Sequence, residues 1–112
     1  MPKVSVRSYS RYSLEAMTLL GSLIRAARKE RKMTAQDLAT RAGISRGLLQ
    51  RIEKGDPRCE LGATIEAASI AGVRLFSAES STLTPYIRQT EDKLALLPKS
   101  VRKSTRVADD DF

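Results

Sequence analysis

The sequence contains no histidine, a single cysteine (Cys59) and no glycine-rich phosphate loop. The side chains that usually perform acid–base and nucleophilic catalysis are therefore almost absent, because a lone cysteine without histidine lacks its usual base. Cys59 also has no partner for an internal disulfide or a metal cluster. We predict a protein that is not an enzyme and has no cofactor and no metal. Cys59 is interpreted as a small, half-buried loop residue.

Long apolar runs are also missing, since no stretch approaches the ~18 apolar residues that mark a membrane-spanning helix. The N-terminal residues lack the apolar segment of a secretory signal. Carboxylates are outnumbered, with 13 Asp and Glu against 20 Lys and Arg and a net charge of +7. Such a surface attracts polyanions. We expect a soluble, cytoplasmic protein of one small domain with an appended segment, and no membrane partner.

Residues 34–55 carry the signals of two short helices joined by a turn. Each predicted helix has a Ser or Thr before it and a Gly after it, which are common capping residues. The caps are Thr34 and Gly43 for the first helix, and Ser45 and Gly55 for the second. Apolar residues recur inside each helix at helical spacing. They are Leu38, Ala39 and Ala42, followed by Leu49 and Ile52.

The second of these helices has a basic and polar outer face, made of Arg46, Leu48, Gln50, Arg51 and Lys54. This composition suits a helix that enters the DNA major groove, because arginine and glutamine pair with base edges, apolar groups contact thymine methyls and cations contact phosphate. A helical hairpin that only forms a core does not need such a face. We predict that the base-reading residues are Ser45, Arg46, Gly47, Gln50 and Arg51.

This stretch resembles the helix-turn-helix of the Xre (lambda/434 repressor-like) regulators. Their pattern, T-x-x-x-L-A-x-x-A-G-[IV]-S followed by E-x-G, is matched by Thr34, Leu38, Ala39, Ala42, Gly43, Ile44, Ser45, Glu53 and Gly55. The resemblance implies an all-α, lambda-repressor-like bundle of four to five helices that binds double-stranded DNA. It also implies an ion pair between Arg28 and Glu53, so Arg28 is assigned to structure and not to DNA.

Three further residues are predicted to contact phosphate. They are Thr34 at a helix N-terminus, Lys54 at the end of the recognition helix and Arg58 in the loop beyond it. Related repressors touch phosphate at the position that Arg58 occupies. An arginine that is merely solvated remains the alternative for this loop.

Residues 1–13 mix cations with two valines, Val4 and Val6. They suit a basic arm that reaches DNA, a short strand or a disordered terminus. The helix-turn-helix domain is predicted over residues 14–76. Ser13 is expected to cap a first helix over 14–32, whose inward residues are Leu20, Leu23, Ile24 and Ala27.

After a turn at 56–60, a fourth helix is predicted over 61–71, with Leu61, Ile65, Ala68 and Ala71 inward. Residues 73–76 are β-branched and aromatic enough to predict a short strand. An unpaired strand at the end of a small helical domain invites pairing with a second copy. We therefore predict a homodimer through Val73, Leu75 and Phe76, which also suits a palindromic operator read by two recognition helices.

Residues 77–97 are predicted to form a polar turn and a C-terminal helix that begins near Pro85. Its apolar face comprises Ile87, Thr90, Leu94 and Leu97. Residues 98–112 form a flexible tail in which four cations precede Asp109, Asp110, Asp111 and Phe112. A segment of this kind does not fold by itself. It is either a solvated end or a peptide ligand for a protein partner, with Phe112 as its anchor.

The order of a long first helix, an E-K-G-D-P turn at 53–57, a strand after the fourth helix and an aromatic-ended tail resembles HipB-type antitoxins. The resemblance implies a repressor of its own toxin–antitoxin operon that binds a HipA-like serine/threonine kinase toxin in the bacterial nucleoid. The fifth helix and the DDDF ending depart from the short HipB pattern, which leaves a three-component system open. The alternative function is a stand-alone phage-type or metabolic repressor.

Overall fold

The structure is a computed structural model that describes residues 8–76, 82–101 and 103. It contains five α-helices, which are α1 (Arg11–Glu30), α2 (Ala35–Ala42), α3 (Arg46–Glu53), α4 (Leu61–Ala71) and α5 (Thr84–Leu96). The chain divides into two compact units, Met1–Ser77 and Ala78–Phe112. The predicted all-α class is confirmed. No helix within the described residues combines the length and the apolarity needed to cross a membrane.

The first unit is built around one small core to which four helices contribute. Its largest fully buried side chains are Ile24 of α1, Leu38 of α2 and Leu49 of α3. The buried apolar residues of α4 are all alanines. Because alanine occupies so little volume, the backbone of α4 can approach its neighbours closely and still fill the interior.

Two glycines allow α1 to lie directly against the end of α3. A Cβ placed on Gly21 would lie only 2.5 Å from the Ile52 carbonyl oxygen and 2.7 Å from that of Glu53. A Cβ on Gly55 would lie 2.8 Å from the Thr18 Cα, and Gly55 also has a left-handed φ of 82°. The C-terminal end of α3 is therefore fixed against α1 by backbone contacts that no side chain would permit.

The predicted bounds of α1 are wrong at both ends. The N-cap is Ser10 and not Ser13, because the Ser10 Oγ accepts a hydrogen bond from the Ser13 N–H at 3.1 Å. The helix ends at Glu30, and Lys32 reverses the chain with a φ of 58°. Three residues of the predicted N-terminal arm therefore belong to α1. Val4 and Val6 lie outside the described residues.

The predicted buried faces of α1 and α4 are wrong in part. Leu23 of α1 is exposed, and so are Leu61 and Ile65 of α4. The inward positions of α4 are instead taken by Ala63, Thr64, Ala67, Ala68 and Ala71. The gap between α4 and the other helices admits only small side chains, so the largest apolar residues of this helix are turned outward.

The strand predicted over 73–76 is not formed, and the described residues contain no strand. Gly72 adopts a left-handed φ of 93°, and the Val73 N–H donates to the Ala68 carbonyl at 2.8 Å. This hydrogen bond belongs to a Schellman cap, which ends α4. The Val73 N–H is therefore used in the helix cap. A segment with high strand propensity also needs a neighbouring strand to pair with, and the described residues provide none.

The second unit contains α5, which begins with Pro85 in its first turn, as predicted. The helix ends at Leu96, before Pro98. Its predicted apolar face is exposed within the described residues, including Ile87, Leu94 and Leu97. The predicted tail residues Asp109, Asp110, Asp111 and Phe112 lie outside the described residues.

Candidate nucleic-acid interface

The N-terminus of α2 is closed by a reciprocal pair of hydrogen bonds. The Thr34 Oγ1 accepts from the Asp37 N–H at 3.0 Å, and the Asp37 carboxylate accepts from the Thr34 N–H at 2.9 Å. The bond from the Thr34 N–H, together with one from the Thr34 side chain, holds the pKa of the Asp37 carboxyl below its ordinary value. This capping box fixes Thr34 at the N-terminus of α2, and the N-terminal end of a helix favours an anion such as phosphate.

A tight turn over residues 43–45 connects α2 to α3. Gly43 adopts a left-handed φ of 71°, and the Ile44 N–H donates to the Ala39 carbonyl at 3.0 Å. Ser45 then caps α3, with its Oγ accepting from the Leu48 N–H at 3.0 Å. The predicted caps Thr34, Gly43 and Ser45 are confirmed, whereas the C-cap of α3 is Lys54 and the left-handed Gly55 comes after it. The caps around this turn orient α3 relative to α2 through local hydrogen bonds.

One side of α3 is packed into the core and the other is open. Leu49 and Ile52 are buried. Leu48 is half-buried and packs against the same core, so its predicted place on the outer face is wrong. The exposed residues, which we call the open face of α3, are Arg46, Gly47, Gln50, Arg51 and Lys54. Ser45 precedes α3 and is exposed, so all the residues predicted to read bases are accessible.

Arg28 and Glu53 form a buried ion pair between α1 and the end of α3. The Arg28 Nε donates to Glu53 Oε2 at 2.8 Å and the Nη2 donates to Oε1 at 2.9 Å. The Arg28 Nη1 also donates to the Met33 carbonyl at 3.1 Å. The two side chains are only 10% and 7% exposed. The hydrogen bond to Glu53 raises the pKa of Arg28 further, and the buried guanidinium has little surface left for DNA.

A second charged cluster joins the end of α3 to the following loop, and its centre is Asp56. The Asp56 carboxylate accepts from the Arg51 Nε at 3.0 Å, and from the Arg58 N–H at 2.9 Å and Nε at 3.2 Å. Hydrogen bonds from Arg58 and Arg51 hold the pKa of Asp56 well below its ordinary range. Sequence reasoning missed Asp56. Its position between two arginines, directly after the helix-ending Gly55, is the signal that was available.

Residues 19–75 match the model of a helix-turn-helix domain family. The chain belongs to this helix-turn-helix family. The match covers most of α1 together with α2, α3 and α4. No curated protein matches the chain significantly. The match supports the Xre-type assignment made from residues 34–55 and makes this protein a DNA-binding regulator.

In this helix-turn-helix protein, the residues predicted to contact phosphate are exposed at the start of α2, at the end of α3 and in the loop after it. Thr34 lies at the N-terminus of α2, Lys54 follows the last residue of α3, and Arg58 lies in the next loop. All three are exposed. Cys59 is half-buried in that loop, as predicted, and burial raises the pKa of its thiol.

Proposed function

We propose that this helix-turn-helix protein is a dimeric, sequence-specific transcriptional repressor of bacterial DNA. The observation that carries the proposal is the open face of α3. Its polar and cationic residues are exposed while the opposite side of the helix is locked into the core. A helix held in this way can insert into the major groove without unfolding or rearranging.

The proposed contacts divide into two sets. Base edges are read by Ser45, Arg46, Gly47, Gln50 and Arg51, where Gly47 lets the backbone approach the groove because it carries no side chain. Phosphates are contacted by Thr34, Lys54 and Arg58, which fix the position of α3 on the duplex. Arg46 is the first residue of α3 and therefore the strongest candidate for entering the groove first.

The proposed dimer brings two recognition helices to a palindromic operator. Leu75 and Phe76 are exposed at the end of the first unit, and Val73 is half-buried beside them. Since residues 73–76 form no strand, we propose that the two copies meet through these apolar side chains and not through an intersubunit sheet. Two half-sites supply the specificity that one short helix lacks.

The partner proposed beyond DNA is a HipA-like serine/threonine kinase toxin, with this protein as the HipB-like antitoxin that represses the shared operon. The support is the resemblance of residues 14–76 to HipB-type antitoxins, together with a tail that ends in three aspartates and a phenylalanine. A stand-alone Xre-family repressor is the competing function. A kinase gene beside this one would favour the antitoxin.

Changing Arg46 to alanine is expected to reduce the preference for the operator by roughly 5- to 150-fold, the loss associated with one base-reading arginine. The operator is first obtained by selection with the wild-type protein from a library of random duplexes. Binding to that duplex and to a scrambled version is then measured by fluorescence anisotropy across a salt series. Arg88→Ala, which removes the same charge from α5, is the matched control and should leave the preference unchanged.

An equal loss on operator and scrambled DNA would make Arg46 a phosphate contact. The salt series tests the function itself, because log affinity should fall by about 0.9 per phosphate neutralised for each tenfold rise in salt. A flat salt dependence, or a selection that yields no sequence, would contradict the DNA-binding function. A selected sequence without two-fold symmetry would contradict the dimer.

Deleting residues 107–112 is expected to abolish or strongly weaken capture of the co-encoded kinase and to leave operator affinity unchanged. The deleted residues carry aspartates and Phe112 but no positive charge, so they have no attraction for DNA. Pull-down and mobility-shift assays on the same truncated protein measure both effects. Phe112→Ala tests the anchor alone. Undiminished capture of the kinase would show that the tail is only a solvated end.

A further inference from the structure

We propose that Asp56 is a positioning residue that holds Arg51 ready to read a guanine, so that a carboxylate that need not touch DNA sets part of the sequence specificity. The proposal rests on the proposed function, in which α3 enters the major groove. The role of Asp56 in DNA recognition is inferred from the hydrogen bonds that its carboxylate accepts from Arg51 and Arg58.

The bond between the two residues uses the one nitrogen of Arg51 that guanine recognition does not require. The Arg51 Nε donates to Asp56 Oδ2 at 3.0 Å. Guanine presents two acceptors, O6 and N7, which pair with two N–H groups of one guanidinium. The Nη1 and Nη2 groups of Arg51 stay free for this pairing, because the carboxylate occupies only Nε among the described contacts.

The exposure of the two side chains agrees with this arrangement. The Arg51 side chain is 51% exposed and the Asp56 side chain only 15%. The guanidinium is therefore the outer member of the pair and the carboxylate the inner one. A ligand that reaches the open face of α3 meets Arg51 first, with Asp56 behind it.

Asp56 is itself held firmly enough to act as a support. Its N–H donates to the Arg51 carbonyl at 3.0 Å, which ties the loop to the last turn of α3. Its Oδ1 accepts the Arg58 N–H at 2.9 Å, and Gly55 before it packs on Thr18 of α1. Arg51 is thereby restricted before DNA arrives, and a pre-organised side chain loses less entropy on binding than a free one. The carboxylate is ionised at neutral pH, as any ordinary aspartate is, and its lowered pKa keeps it ionised at more acidic pH as well.

Removing the Asp56 carboxylate has different consequences if it positions Arg51 and if it is only an acidic residue near DNA. A carboxylate near DNA repels phosphate, so removing an acidic bystander raises affinity for every duplex. Removing a positioning carboxylate also relieves this repulsion, but it releases Arg51 and lowers the preference for the correct base. Affinity for random DNA and preference for the operator then change in opposite directions.

The test uses Asp56→Asn in the full chain. Asparagine keeps a side-chain oxygen for the Arg58 N–H and so preserves the loop, but it holds a guanidinium less strongly than a carboxylate does. Glu60→Gln is the matched control, since it removes the same charge four residues away and the Glu60 side chain makes no capping bond. Binding is measured on the duplex selected by the wild-type protein, on its scrambled version and on duplexes with each guanine replaced in turn.

The expected result is that Asp56→Asn binds scrambled DNA as well as or slightly better than the wild type, while its preference for the operator falls by about three- to tenfold. Glu60→Gln should strengthen both complexes equally. Arg51→Lys keeps the charge but has no forked pair of donors, so it should lose preference at the same guanine. In an Arg51→Ala background, Asp56→Asn should cause no further loss of preference.

An unchanged preference in Asp56→Asn, or losses that simply add in the double variant, would overturn the proposal. The thermal unfolding of each variant is followed by circular dichroism. If Asp56→Asn is destabilised, the test uses Arg51→Lys in its place. Its preference for guanine is measured at the position that Asp56→Asn would affect, and an unchanged preference there overturns the proposal. A wild-type protein that selects no sequence at all would overturn the proposed function, and this proposal with it.

Discussion

Replacing Arg28 by alanine is expected to lower the free energy of unfolding by about 3–5 kcal/mol, the usual cost of breaking a buried ion pair from one side. The change would leave the Glu53 carboxylate, now only 7% exposed, without its two guanidinium donors. The Met33 carbonyl would also lose its donor. A loss of this size is a large part of the total stability of a small domain, so much of the protein would unfold on mild warming.

Urea unfolding followed by circular dichroism measures this loss. Arg11→Ala is the matched control, because it breaks an exposed pair with Glu15 whose atoms lie 3.9 Å apart, and such pairs contribute less than about 1 kcal/mol. Replacing both Arg28 and Glu53 by apolar residues should recover much of the stability, since no buried charge is then left alone. A single Arg28→Ala variant that unfolds like the Arg11 control would contradict the structural role of the pair.

A second large effect is expected for Gly21→Ala. Alanine favours a helix over glycine by about 1 kcal/mol. Here the added methyl group would meet the Ile52 carbonyl oxygen at 2.5 Å, so α1 has to move away from α3. Overpacking costs about 1–3 kcal/mol, and the cost falls at the upper end here because the atoms that the methyl group meets are rigid backbone. We expect a net destabilisation, with weaker operator binding because the end of α3 shifts.

Gly62→Ala is the control for this prediction, since a Cβ on Gly62 of α4 meets no atom within 4 Å. The same chemical change is therefore expected to stabilise the protein slightly at Gly62 and to destabilise it at Gly21. Thermal unfolding of the two variants and operator binding by anisotropy give the comparison. Stabilisation by both substitutions would show that the close approach of α1 to α3 is not needed.

The parts of the structure that were predictable from sequence depend on residues close together in the chain. The caps at Thr34 and Ser45 and the turn at Gly43 are local hydrogen-bonding patterns, and the residues that each bond joins lie within five positions of one another. Amphipathic spacing likewise placed Leu49 and Ile52 inward. Local rules such as these hold whatever the rest of the molecule does.

The errors came from features that only the assembled bundle determines. The sequence pattern of α4 favours burying Leu61 and Ile65, but the close approach of the helices selects alanines. Residues 73–76 have a high strand propensity, yet Val73 is used to cap α4 and no strand lies beside it. Strand propensity is a property of one segment, but a strand forms only when a second segment lies beside it to accept and donate hydrogen bonds.

The contact between Asp56 and Arg51 was not predicted from sequence for a different reason. A D-P pair after a helix-ending glycine predicts a turn, and the turn explained the residue without further need. In the folded protein the same carboxylate also accepts a hydrogen bond from the Arg51 Nε on the open face of α3. When one residue both forms a turn and contacts another side chain, the sequence pattern indicates only the turn.

The division of α3 into a packed side and an open side has an evolutionary consequence. Arg46, Gly47 and Gln50, which we propose read bases, take no part in the core, so we expect substitutions at these positions to alter operator preference with little cost to folding. Arg51 differs, because its loss would leave Asp56 with one guanidinium partner in place of two. Under the proposed function, we therefore expect homologues with new operators to differ independently at residues 46, 47 and 50, and to differ at residues 51 and 56 together.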